Sequence, residues 1–203
     1  HDTFGEDLVF CIRDGSVFYW DTSGTTAQRG VYLSSLTGAS NTPTIAKQVM
    51  VSDIDRHVIA FGCNPLGSSA QDPLLIRFSA QEDPADWTPR TTNTAGDLRI
   101  GSGTAIVQAV ETRQEILVFT DQAIHSMQFI GPPYTFGINR VSENITIRSP
   151  NAAVAVGDSV YWMGSDQFYV YRGNVNQLNC TVKEKVLTDI NNDQSTKIFV
   201  GVN

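Results

Sequence analysis

Three hairpins in one register constrain this chain more than any other feature. Leu8-Val9-Phe10-Cys11-Ile12 runs through Arg13-Asp14-Gly15-Ser16 into Val17-Phe18-Tyr19-Trp20. The form returns as Ile116-Leu117-Val118-Phe119, Thr120-Asp121-Gln122 and Ala123-Ile124-His125-Ser126-Met127. It returns again as Val160-Tyr161-Trp162-Met163, Gly164-Ser165-Asp166-Gln167 and Phe168-Tyr169-Val170-Tyr171. Val9 to Val17, Ile116 to Ile124 and Val160 to Phe168 are each eight residues apart. Asp and Gly suit the turns because they tolerate the backbone conformations that a tight reversal demands. A fourth copy runs from Val58 through Gly62 and resumes at Leu74, sixteen residues on, with the excess in a Gly/Ser/Pro loop. Such an insertion costs little, because closure entropy grows slowly with loop length.

A further strand precedes three of these hairpins, over 46–51, 104–110 and 152–156, and more apolar runs lie between them. Val9, Val58, Ile116, Val160 and Ile198 then mark equivalent points, separated by 49, 58, 44 and 38 residues. Repeats of about 40 to 50 residues with about four strands each have the dimensions of propeller blades. The chain is therefore expected to be all-β: a β-propeller of about four blades, over approximate units 1–45, 46–103, 104–151 and 152–203. A fifth blade is expected to begin at Ile198-Phe199-Val200-Gly201-Val202. A two-layer β-sandwich is the alternative that the strand count allows.

Charge narrows the function classes. Fourteen basic against twenty-one acidic residues give a net charge of -7, which repels phosphate backbones and disfavours general nucleic-acid binding. Cys11, Cys63 and Cys180 are an odd number without a close pair, so they read as buried or half-buried free thiols, not as a disulfide framework or zinc knuckle. No apolar run approaches the roughly 18 residues of a membrane span. The start, His1-Asp2-Thr3-Phe4-Gly5-Glu6-Asp7, has neither Met nor a signal-like pattern and reads as an internal stretch of a longer polypeptide.

Candidate chemistry is sparse. Asp14, Asp121 and Asp166 sit at equivalent turns, where a ring of converging carboxylates competes with the plainer reading that Asp suits turns. His57 and His125 lack a Cys or carboxylate at ligand spacing, so hydrogen bonding within the sheets is expected in place of zinc or general-base chemistry. Gly101-Ser102-Gly103-Thr104 lacks what a dinucleotide loop needs and reads as a turn leading into a strand. Trp20-Asp21 is a lone dipeptide at a strand end. Asp189-Ile190-Asn191-Asn192-Asp193 starts like a calcium loop, but Gln194 and Val200 occupy its Gly and Glu positions. Asn144-Ile145-Thr146 and Asn179-Cys180-Thr181 fit the glycosylation pattern, which is short and has no secretory context here. Trp87, in the acidic loop 81–89, reads equally as a contact residue and as a cover over its own blade. No catalytic, cofactor-binding or metal-binding residue is assigned, and no enzyme activity is expected.

Phe4-Gly5-Glu6-Asp7-Leu8-Val9 with Tyr19-Trp20-Asp21, Asp55-Arg56-His57-Val58, Asp72-Pro73-Leu74-Leu75-Ile76-Arg77, Asp86-Trp87-Thr88-Pro89 with Asn93-Thr94-Ala95-Gly96-Asp97, and Val160-Tyr161-Trp162-Met163-Gly164 form a further set. Together these stretches resemble the tail proteins of short-tailed bacteriophages. The family is that of the tail nozzle, also called tail tubular protein B or tail stabilisation protein. The resemblance implies a propeller-like body and a homo-hexameric ring in the virion tail below portal and adaptor, assembled in the bacterial cytoplasm. It also implies contacts with the tail adaptor and tail fibre proteins, and a conduit through which genomic DNA passes without specific binding. The family's chains are several hundred residues longer. Two other functions compete: a propeller module that binds a host-surface glycan or protein, and a propeller hydrolase, which would need convergent acid, base and nucleophile groups that the sequence does not offer.

Overall fold

The computed structural model describes residues 1–202. It contains four four-stranded antiparallel sheets, each a meander of consecutive strands. The first holds β1 (Asp2–Phe4), β2 (Asp7–Cys11), β3 (Val17–Trp20) and β4 (Val31–Tyr32). The second holds β5 (Gln48–Val51), β6 (Val58–Phe61), β7 (Leu75–Phe78) and β8 (Gly96–Arg99). The third holds β9 (Ile106–Glu111), β10 (Ile116–Thr120), β11 (Ala123–Gly131) and β12 (Thr135–Glu143). The fourth holds β13 (Ala153–Val156), β14 (Ser159–Met163), β15 (Phe168–Tyr171) and β16 (Val175–Leu178), followed by a short helix, α1 (Lys183–Asp189). Each sheet lies inside one of the four stretches 1–45, 46–103, 104–151 and 152–203. No helix among the described residues is long and apolar enough to cross a membrane.

The eight-residue spacing corresponds to the central hairpin of a sheet. Val9 pairs with Tyr19 and Cys11 with Val17, Phe119 pairs with Ile124, and Met163 with Phe168. Side-chain alternation follows: along β3, Val17 and Tyr19 are buried while Phe18 and Trp20 are half-buried. On the more open face Phe10 stacks on Phe18 at 5.2 Å and Phe18 on Tyr32 at 5.1 Å, an aromatic ladder across three strands. By contrast β6, β7 and β10 are buried along their whole length, as strands covered on both faces must be.

The chain divides into two compact units. The first comprises His1–Gly101 with Phe129–Gly137, and the second Ser102–Gln128 with Ile138–Asn203. In the first, Phe4, Val9, Val17 and Tyr19 of one sheet pack with Val49, Val51, Val58, Ala60 and Leu75 of the next, around Trp87. The leading strands β1 and β5 are in contact, and the Val51 N–H donates to the Asp2 carboxylate at 2.9 Å. In the second, Leu117, Phe119 and Ile124 pack with Val160, Trp162, Tyr169 and Tyr171. Here β9 and β13 meet, and the Gln108 amide donates to the Ala153 carbonyl at 3.0 Å and accepts the Ala153 N–H at 3.2 Å.

Two elements differ from expectation. β1 lies ahead of the first hairpin, joined to β2 by a turn in which Gly5 has φ +69°. Its three residues are too few to show alternation, so the apolar pattern hides it. Among the described residues the stretch Ile198-Phe199-Val200-Gly201-Val202 forms no strand of the length the sequence suggests. Phe199 makes one parallel bridge to Asn151, and the Val200 N–H donates to the Asn151 carbonyl at 2.9 Å. After β16 the chain passes through α1 and a 3-10 turn over Asn192–Lys197, which return it to the lead-in of the fourth sheet. The Ser149 hydroxyl then holds the Ile198 carbonyl at 2.8 Å.

Candidate functional site

The three turn aspartates are each spent within their own surroundings. Asp14, at φ 56°, receives Lys47 Nζ at 2.8 Å and Gln71 Nε2 at 2.9 Å. Asp121 receives the Thr104 N–H at 2.7 Å, the Thr104 hydroxyl at 2.6 Å and the Ala105 N–H at 3.3 Å. Asp166 receives the Tyr169 hydroxyl at 3.3 Å. Burial opposes ionisation of Asp14 and Asp121, but these hydrogen bonds outweigh it and hold both carboxyls below their ordinary values. Trp20 ends β3, its indole N–H donating to the Gln28 carbonyl at 2.9 Å. These groups shape turns and strand ends.

Both internal histidines are hydrogen-bonded across loops and sheets. His57, wholly buried, has Nε2 at 3.0 Å from the Thr94 hydroxyl, and His125 has Nε2 at 2.8 Å from the Ser102 hydroxyl. Burial lowers the pKa of both rings, so they are neutral near pH 7. The Ser102–His125 pair has the reach of a nucleophile and its base, yet among the described residues His125 Nδ1 finds no side-chain acceptor to orient the ring, as a triad requires. Among the described residues no three His, Cys, Asp or Glu side chains gather at metal-binding range. Asp189 ends α1, and Asn191 caps the following 3-10 turn by accepting the Asp193 N–H at 3.0 Å. Asn144 and Asn179 are exposed. All three cysteines are free thiols, Cys63 buried and the others half-buried, and burial pushes the Cys63 thiol up to about 12.

The loop around Trp87 resolves its two readings. Trp87 is 1% exposed and its indole N–H donates to the Pro84 carbonyl at 2.8 Å, so it is core and not a contact surface. Beside it the buried Arg77 guanidinium donates to the carbonyls of Asn41 at 2.6 Å, Asn64 at 3.2 Å and Trp87 at 3.3 Å. Asp86 ties the same region together, receiving the Ser40 hydroxyl at 2.7 Å, Arg90 Nη1 at 2.7 Å and Asn93 Nδ2 at 2.9 Å. The sequence pattern gave Arg77 no role, since an Arg inside an apolar strand run carries no sign of what it caps.

This framework supports a cleft of about 660 Å³ in the first unit. One wall carries Arg90, Thr91, Asn93 and Asp97, and the other the turn Pro132-Pro133-Tyr134. Thr135, at φ 63°, fixes that turn by donating its hydroxyl to the Thr94 carbonyl at 2.9 Å. Beneath lies an aromatic cluster in which Phe136 meets Phe78 at 4.9 Å and His57 at 5.2 Å. Tyr134 is 73% exposed at the rim. The cleft brings together residues some forty positions apart in sequence, which no local motif announces. Its one local signal is Gly131-Pro132-Pro133-Tyr134, a break between two strands that sets an aromatic at a loop tip.

Two smaller concavities lie in the second unit. One of about 320 Å³ is lined by Glu115, Asp158 and Arg172, with Glu115 receiving the Ser126 hydroxyl and Arg172 donating to the Tyr161 hydroxyl at 2.7 Å. The other, about 230 Å³, is apolar and lined by Trp162, Phe168 and Phe199. No protein-family model matches this chain, and no curated protein matches it.

Proposed function

We propose that this chain is part of the β-propeller body of a tail nozzle protein of short-tailed bacteriophages, a virion structural protein. Its copies form a homo-hexameric ring that lines the DNA-ejection conduit below portal and adaptor, and bear on tail fibre proteins at the ring's outside. The observation that carries this reading is the succession of four four-stranded meanders, with leading strand against leading strand inside each unit. That is how propeller blades follow one another, and a propeller-like body is what the sequence resemblance implies.

Charge and polar chemistry fit the same role. A conduit must let a duplex slide, and a chain of net charge -7 does not hold phosphates by counterion release. The turn carboxylates serve loop geometry, so the fold is invested in shape more than in reactive groups. Rings require two different faces on each subunit, which loops of unequal length such as 62–74 and 79–95 can furnish. Native mass measurement of the full-length gene product tests the proposal. Six copies per particle are expected, and a persistent monomer would overturn it.

A further inference from the structure

We infer that the cleft between the 89–97 segment, which runs into β8, and the Pro132-Pro133-Tyr134 turn is a saccharide site that takes neutral pyranosides. The ligand stacks on Tyr134 while its hydroxyls bond to Asp97 and Arg90. This inference does not rest on the nozzle reading, because all its residues lie in the first unit and the site is complete in one copy.

The two walls ask for different things. Tyr134 and the adjoining prolines offer an exposed apolar platform, and an aromatic face carries the negative end of a quadrupole that attracts polarised C–H groups. Opposite, the exposed Asp97 carboxylate has no hydrogen-bond partner among the described residues, and Arg90 uses Nη1 on Asp86 while the rest of its fork is open. An apolar peptide would cover the platform but strand the carboxylate and guanidinium, which is costly. A nucleic acid would set phosphates against Asp97. A pyranose meets both walls, having a C–H face and a rim of hydroxyls that donate and accept. The sugar is neutral because Asp86, 2.7 Å from Arg90, already opposes the one cation at the site.

Size and rigidity agree. A cleft of about 660 Å³ falls in the range of small-molecule sites and holds roughly two or three sugar rings. Asp86 fixes Arg90 and Asn93, and the bond from Thr135 to the Thr94 carbonyl fixes the turn, so little ordering is left for the ligand to impose.

Saturation-transfer and amide-shift NMR on the chain with maltotriose, cellotriose and triacetylchitotriose, against sialyllactose and a proline-rich peptide, tests this. At least one neutral trisaccharide is expected to bind and to shift the amides of Asp97 and Tyr134. Tyr134→Ala should weaken binding about tenfold, whereas Tyr134→Phe, which keeps the ring, should stay within about twofold. Asp97→Asn should weaken it several-fold, and thermal unfolding confirms that each variant is folded. Absence of binding by all three neutral sugars, preference for sialyllactose or the peptide, or an unchanged affinity in folded Tyr134→Ala would each overturn the inference.

Discussion

The two units build the same pair of meanders around tryptophan in different ways. In the first, Trp87 comes from a loop and is held by polar contacts: its indole N–H meets Pro84, and Arg77 lies 5.9 Å from its ring. In the second, Trp162 comes from β14 and is held by rings, stacked on Tyr169 at 5.3 Å and edge-on to Phe119 at 5.3 Å. Its indole nitrogen has no hydrogen-bond partner among the described residues. The difference follows from loop length. The first unit carries long connections over 33–47, 62–74 and 79–95, each with a carbonyl that needs a donor, and Arg77 supplies it to Asn41, Asn64 and Trp87. The short turns of the fourth sheet leave few such carbonyls, so apolar packing suffices.

The severest break should come at Arg77. Arg77→Met keeps the stem but leaves three carbonyls without their donor, and should destabilise the first unit by about 3 kcal/mol or more. Hydrogen exchange would show the loss in β6 and β7 while β14 and β15 stay protected. A change under about 1 kcal/mol would mean that the carbonyls find other donors or water. Next come the tryptophans. Trp87→Phe removes volume and the bond to Pro84, and should cost about 2 to 3 kcal/mol. Trp162→Phe removes similar volume but no bond, and relieves an unpaired N–H, so its cost should fall below about 1.5 kcal/mol. Equal urea midpoints for the two variants would dissolve the contrast.

What the sequence disclosed follows the same division. The hairpins were legible because Val9, Ile116 and Val160 stand in apolar runs of strand length that turn residues separate from their partners. β1 was not, since three residues carry no period, and over 198–202 an apolar run reads as a strand although Phe199, 78% exposed, makes a single bridge. The thiols were legible from spacing alone, and the histidines in part: both are hydrogen-bonded, but to the loop hydroxyls of Thr94 and Ser102 and not within the sheets. The burial of Trp87 was not, because it depends on Arg77 and Asp86 meeting it from other strands and loops. The cleft was hidden for the same reason: Asp97 and Tyr134 are distant in the chain and close only in the fold.

The stitches between leading strands give a smaller, finer comparison. Gln108 makes two bonds to Ala153, acting as a short piece of strand, whereas Asp2 accepts one N–H from Val51. Gln108→Ala should therefore cost about 1 to 2 kcal/mol and Asp2→Ala about 1 kcal/mol or less, the latter diminished by salt. Thermal unfolding at low and high ionic strength separates them, since only the Asp2 effect should shrink in high salt. If both respond equally, the two contacts are not the alternatives that their geometry suggests.

Acid should distinguish the units most gently. One buried histidine lies in each, and burial lowers both pKa values below the ordinary 6.5. The unfolded state then binds more protons, so this contribution is present above about pH 6.5 and is lost in both units as pH falls through the folded values. Carboxylates break the symmetry. In the first unit burial opposes ionisation of Asp7, Asp14, Asp72 and Asp86, but hydrogen bonds from Tyr19, Lys47, Arg99 and Ser40 respectively outweigh it and hold each below 3.8. In the second Asp121 is so held, chiefly by Thr104 against the same opposition. Stability from these groups is present above the ordinary carboxylate value and lost as pH falls through the lowered ones. They are largely solvated, so each effect is small and screened. The first unit should still lose exchange protection ahead of the second below pH 3.8. Asp86→Asn and Asp14→Asn together should narrow that gap, and a second unit that opens first in acid would show that local carboxylate bonding does not order the two.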